Sequence, residues 1–249
     1  YTFTCSRMLD LVFPKTCPGC DSAIDKNENL CGDCLSGITF ISGLSSCACC
    51  GIPFGFYKDK SDGKDRANDG HLCGRCLTAS YSFSNARSVA LYDGKLIDII
   101  YGFKYRGNPG LGDFLSGLLA DGMPYGADEI DVIVPVPLHI NKLRSREYNQ
   151  SAVLVKNLAK SIGVKHDLFG LKKIRDTMPQ FEIQKEEARR KNVKGAFSVT
   201  DPGAFSGKSV LVVDDVFTTG STSDECARVL LKAGASEVRV LTVARARWA

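Results

Sequence analysis

The chain has 249 residues, 44% of them apolar and 24% charged, which is the make-up of an ordinary globular protein with room for one large domain or two smaller ones. No run approaches the roughly 18 apolar residues of a membrane span, and the opening YTFTCSRMLDLVF lacks a basic leader followed by a long apolar stretch, so a cytoplasmic protein is expected. The net charge of +4 divides into −1 over residues 1–84 and +5 over residues 85–249, an excess that suits a phosphate-bearing ligand and is too small to argue nucleic-acid binding by itself.

Ten of the 11 cysteines precede residue 77, and only Cys226 lies beyond. This predicts two domains stabilised in different ways, residues 1–84 and residues 85–249. Eight of the early cysteines form four CxxC pairs: Cys17 with Cys20, Cys31 with Cys34, Cys47 with Cys50, and Cys73 with Cys76. Two thiolates three positions apart on a tight turn chelate one Zn²⁺, and a second pair completes a tetrahedron. LCGDCL at 30–35 recurs as LCGRCL at 72–77, each preceded by a CxxC pair, which predicts two tandem zinc ribbons. Sequential pairing puts Cys17, Cys20, Cys31 and Cys34 on one zinc and Cys47, Cys50, Cys73 and Cys76 on the other; cross-braced pairing is the alternative. Disulfides fit poorly in a reducing compartment. Cys49 could stand in for Cys47, while His71, Cys5 and Cys226 are expected to be bystanders. The polar stretch from Gly55 to Gly70 reads as a long solvated loop within the second ribbon.

From residue 85 strands and helices alternate. NARSVALY reads as a strand, LIDIIYGFKYRG and GDFLSGLLADGM as helical, and IDVIVPVPLH as a buried strand closed by prolines, which cannot donate to a ladder. NQSAVLVKNLAKSIG has helical apolar spacing and stops at Gly163. KNVKGAFSV leads into a further strand, KSVLVVDDV is a buried one, TSDECARVLLKAGA is a helix and SEVRVLTVAR a last strand. Such alternation predicts an α/β fold with a mostly parallel sheet flanked by helices.

At the end of KSVLVVDDV, Asp214 and Asp215 precede TTGST and a helix starting near Thr222 or Ser223. Ligands of open parallel sheets bind beyond the carboxyl ends of the strands. A loop of this kind offers amides, hydroxyls and a positive helix end to one phosphate. A carboxylate pair beside it can hold neighbouring ribose hydroxyls, directly or through a divalent ion, and together these describe a ribose 5-phosphate. The stretch is neither a Walker A loop nor a GxGxxG loop.

VLVVDDVFTTGST resembles the phosphoribosyl pyrophosphate (PRPP) signature of type I phosphoribosyltransferases. FKYRG (103–107), VPVPLH (134–139), KLRSREYNQ (142–150), a glutamine near Gln180, RRKNVKGAF (189–197) and the aspartate loop occur in the order seen in the ComF family. With the CxxC pairs in front, the resemblance spans nearly the whole chain. One departure is Glu147, where the family usually has glycine.

The resemblance implies a type I phosphoribosyltransferase-like sheet preceded by a double zinc ribbon. It also implies a glycosyl-transferring enzyme that uses PRPP with magnesium. Thr218, Thr219, Gly220, Ser221 and Thr222 would cradle the 5-phosphate, and Asp214 and Asp215 would hold the ribose hydroxyls. Arg144 or Arg146 would face the pyrophosphate, with Lys104 and Arg106 as further cations, and Arg189, Arg190 and Lys191 would belong to a lid. His139 could reach the site from a strand end, although a packed histidine is the plainer expectation. No base-binding hood is recognisable downstream of Asp98. The family name adds an alternative without catalysis, in which the chain handles single-stranded DNA in competence. The PRPP pocket would then hold a nucleic-acid 5-phosphate or serve regulation; a third possibility is that the ribbons only dock a protein partner, such as another competence protein. Tyr101, Phe103, Tyr105 and Tyr148 would suit base stacking, with core packing as the other reading.

Overall fold

A computed structural model describes residues 15–26, 28–54, 70–105, 110–179, 183 and 185–247. Cys5, residues 55–69 of the polar loop, Arg106 and Gln180 lie outside the described residues.

Three strand runs, VIVP, VLVV and the apolar half of EVRVLTVAR, are buried on both faces, as strands sandwiched between helices must be. With β1 (Asn85–Leu91), β2 (Val132–Pro135), β5 (Ser209–Phe217) and β6 (Glu237–Arg245) they form a parallel sheet ordered β1-β6-β5-β2. Side-chain alternation along β5 sends Leu211 and Val213 to one face and Val210 and Val212 to the other.

The first face is covered by α2 (Gly94–Tyr105), α3 (Gly110–Asp121) and α5 (Gln150–Ile162), which bury Leu96, Ile99, Phe103, Leu115, Leu154 and Leu158. The second face is covered by α7 (Ser221–Lys232), whose Cys226, Ala227 and Leu230 are buried there.

The described cysteine-rich residues, among them the short helix α1 (Gly32–Ser36), pack onto both faces of the sheet. Cys17, Leu30, Cys34 and Ile38 join the apolar cluster of the first face, and Cys47, Cys50, Ile52 and Cys76 join that of the second. Gly51 shows how close the approach is. It has φ +66°, and a Cβ there would lie 2.6 Å from the Ala86 carbonyl oxygen of β1.

The FSV segment departs from the expected parallel layer. As β4 (Phe197–Val199) it pairs antiparallel with β3 (Leu171–Lys173) in a sheet of its own. The stretch after VPVPLH is α4 (Ile140–Arg146), and RRKNV belongs to α6 (Glu186–Val193). Among the described residues no helix is long and apolar enough to cross a membrane.

Candidate functional site

β2 ends at Pro135, which is in register with Val213 of β5. β5 continues to Phe217 alongside β6, so Asp214 and Asp215 lie inside the strand but beyond the end of its other neighbour. This opens a cleft of about 650 Å³ over the carboxyl edge of the sheet. Asp214, Asp215 and all of Thr218 to Ser223 line it.

The two carboxylates are held differently. Asp215 is buried and its Oδ1 takes an ion pair from Lys104 Nζ at 2.7 Å. Asp214 Oδ1 accepts from Ser151 Oγ at 2.9 Å and from the Asp215 amide at 2.9 Å. Burial, followed by the charge of Asp215, pushes Asp214 up to about 7, against the pull of Lys104 and Ser151. Burial works against the Lys104 ammonium, but Asp215 and then Asp214 more than offset it and raise its pKa.

The loop after β5 ends at Gly220, with φ +80° in the left-handed region, and α7 starts without a side-chain cap. The first amides of a helix have no partner within it, so an uncapped start leaves donors for a ligand. Thr219, Ser221 and Ser223 are buried around this point, and the Thr219 and Ser221 hydroxyls lie 2.8 Å apart. A Cβ on Gly220 would lie 2.6 Å from Phe217 Cζ and 3.3 Å from Tyr81 Cε1.

The other expected cations divide. Arg146 lines the cleft, whereas Arg144 is exposed outside it. Arg146 is turned toward Tyr105, donating from Nη2 to the phenol oxygen at 2.8 Å. Arg189, Arg190 and Lys191 do not line the cleft. Arg189 Nε donates to the Ile183 carbonyl at 2.6 Å, Arg190 lies over Tyr81, and Lys191 pairs with Glu187 at 2.8 Å. His139 caps α4, its Nδ1 accepting from the Asn141 amide at 3.4 Å. Glu147, the residue standing for the family's glycine, has φ 66° and so takes a backbone conformation natural to glycine.

Sequence reasoning missed Lys142 and Lys173, which also line the cleft. Burial, then Lys142, pulls the Lys173 ammonium down to about 8. Period-two alternation in LKK would have placed Lys173 on the same inward side as Leu171. It also missed Ser151, whose place in the first turn of α5 follows from the N-cap Asn149.

The cysteines gather into the two sequential tetrads, Cys17, Cys20, Cys31, Cys34 and Cys47, Cys50, Cys73, Cys76, with all sulfurs of each set within 4.8 Å of one another. A tetrahedron with Zn–S near 2.3 Å sets sulfurs roughly 3.8 Å apart. Cys20 and Cys31 stand at 3.5 Å, and Cys50 and Cys73 at 3.7 Å. Backbone amides point at the sulfurs as well, Cys31 N to Cys17 Sγ at 3.3 Å and Cys73 N to Cys47 Sγ at 3.2 Å. Both sets fit structural zinc. Cys49 and His71 belong to neither set, and Cys226 is a buried core thiol.

The second tetrad touches the loop of the cleft. Arg245, fully buried at the end of β6, donates to the Phe217 and Thr218 carbonyls at 3.1 and 2.6 Å and reaches Cys50 Sγ at 3.6 Å. Just past the ribbon, Tyr81 Oη donates to the Thr219 carbonyl at 3.3 Å, and the Ser82 amide donates to Asp224 Oδ1 at 2.6 Å.

Comparison with known proteins places both halves. Residues 8–77 match the double zinc ribbon domain and residues 148–247 the phosphoribosyl transferase domain. The DNA utilization protein YhgH of Salmonella typhimurium is 30% identical over 207 residues, covering 81% of this chain and 85% of that one. Competence protein F of Haemophilus influenzae is 28% identical over 229 residues, covering 90% and 93%. Competence protein ComFC of Bacillus subtilis is 26% identical over 224 residues, covering 88% and 85%. A relative 30% identical along 85% of its length, together with a double zinc ribbon domain followed by a phosphoribosyl transferase domain in this chain, shows that the chain belongs to the ComF family.

Proposed function

We propose that the cleft binds PRPP and that the chain transfers or recognises its phosphoribosyl group, in DNA uptake or nucleobase salvage. The observation that carries this reading is the uncapped start of α7 at Gly220, flanked by buried Thr219 and Ser221, in one cleft with Asp214 and Asp215. Amides and hydroxyls suit the 5-phosphate, and the carboxylate pair suits the adjacent ribose hydroxyls. Lys104, Lys142, Arg146 and Lys173 give four cations against two carboxylates, which suits a ligand bearing further phosphates. The carboxylates also suit a magnesium ion carried with the diphosphate.

In transfer, the C1–oxygen bond to pyrophosphate breaks with the electron pair leaving on pyrophosphate, while an acceptor nitrogen forms the new bond to C1 and loses a proton. No protein nucleophile is needed. The chain contributes position and fixed charge.

Calorimetry with PRPP and Mg²⁺ tests the reading. The folded, zinc-loaded wild type binds, and Asp214→Ala/Asp215→Ala loses binding about tenfold or more. A wild type that does not bind defeats the proposal. The names of the relatives favour a second reading, in which the pocket takes a 5-phosphate of single-stranded DNA without turnover. Release of pyrophosphate with an added acceptor separates the two.

A further inference from the structure

The helix α2 has two faces. Leu96, Ile99, Ile100 and Phe103 are fully buried and complete its packing against the sheet. Tyr101 and Tyr105, one turn apart, fall off that stripe and are 51% and 48% exposed, with ring centroids 5.0 Å apart. Tyr148 instead packs against the core and donates its hydroxyl to the Phe103 carbonyl. Of the four aromatics that suit stacking, two are therefore core and two are surface.

Both surface rings line the same cleft as the aspartates. The Arg146 guanidinium lies 4.7 Å from the Tyr105 ring centroid and is tethered to the Tyr105 hydroxyl and, at 3.5 Å, to Gln150 Oε1. Between the two tyrosines in sequence, Lys104 holds Asp215. The flat groups are thus anchored beside the carboxylate pair. Residues 94–105 lie between the two matched domains, so this feature belongs to neither.

We propose that Tyr101, Tyr105 and Arg146 form a seat for the flat face of a nucleobase at the mouth of the cleft. The seat's place beside the transferred group rests on reading the cleft as a phosphoribosyl site. Two half-exposed rings and a tethered guanidinium plane offer π-faces to any base. A small aliphatic amine has no flat face to lay on the guanidinium plane. The same surface accepts a free base as acceptor or a base of a single strand whose 5-phosphate occupies the loop.

Calorimetry on the full zinc-loaded chain distinguishes these sources. The probes are adenine, uracil, a short 5′-phosphorylated oligothymidylate and its abasic counterpart, each with and without PRPP and Mg²⁺. At least one base-bearing probe binds. Tyr101→Ala and Tyr105→Ala weaken it by about tenfold, while Tyr101→Phe, which keeps the ring, stays within about twofold of wild type. PRPP affinity is unchanged in the Tyr101 variants. If an alanine variant fails to fold, Arg146→Lys, which keeps the charge and loses the plane, weakens the base-bearing probe in its place. Free bases that bind identify an acceptor; a strand that binds better than its abasic counterpart, with silent free bases, identifies nucleic acid. Base binding that the alanine variants and Arg146→Lys leave intact overturns the seat, as does PRPP binding with every base-bearing probe silent. Base binding with no PRPP binding overturns the phosphoribosyl reading and leaves the seat standing.

Discussion

Asp214 meets Ser151, the Asp215 amide and the charge of Asp215, and burial keeps its proton on to about pH 7. An unfolded aspartate loses its proton near pH ~4. Between those values the folded chain binds a proton that the unfolded chain has released. Stability therefore falls as pH rises through this window, by at most roughly 1.4 kcal/mol per pH unit. Asp214→Asn, which cannot ionise, gains on wild type in urea unfolding between about pH 4 and pH 7; parallel profiles for the two proteins would show an ordinary carboxyl. Glu147 offers a second test at this scale. A non-glycine residue at φ 66° carries a backbone cost, so Glu147→Gly raises stability by about 1 kcal/mol in the same assay, less what glycine loses in the unfolded chain. A destabilised variant would mean that the Glu147 side chain contributes more than its backbone costs.

Among the elements, the junction of β5 and α7 does most to make the site. β5 outruns β2 by four residues past Val213, which creates an open edge, and the chain then reverses into α7 through Gly220. A Cβ at Gly220 must displace the Phe217 ring and hold a left-handed backbone, so Gly220→Ala costs about 1–3 kcal/mol in thermal unfolding. The same variant loses PRPP affinity. Normal stability with lost binding would place the residue's importance in ligand contact alone. α2 contributes from the other side, since Lys104 sits between two surface tyrosines and turns back to Asp215. Its apolar pattern predicted a helix, yet neither the pattern nor the composition told which of Tyr101, Phe103, Tyr105 and Tyr148 were core. That depended on which side of α2 met the sheet.

Across the whole molecule, the two ribbons extend the two apolar layers, and the second reaches the loop after β5 through Arg245. Four thiolates around Zn²⁺ carry a net negative charge, and a fully buried guanidinium balances it while holding the Phe217 and Thr218 carbonyls. Removing the second tetrad with Cys47→Ser/Cys73→Ser therefore speeds amide hydrogen exchange over residues 217–222 and weakens PRPP binding. Cys17→Ser/Cys31→Ser speeds exchange in α2, whose Ile99 lies beside Gly19 in the turn of the first tetrad, and affects 217–222 less. Equal exchange at 217–222 in both variants would show that Arg245 does not couple the ribbon to the loop.

The sequence by itself determined much of what rests on local spacing. CxxC pairs predict metal turns wherever they fold, apolar runs predict buried strands, and the aspartates followed by TTGST predict a strand-to-helix turn, because each of these depends on neighbours along the chain. Only the tertiary structure decided what depends on register and layer. It separated Arg146 from Arg144, turned FSV into an antiparallel pair with LKK, brought Lys173 and Ser151 to the cleft, and set Arg245 between a cysteine tetrad and the loop after β5. Those partners are up to 195 residues apart, and no local pattern encodes which strand end or helix face meets which.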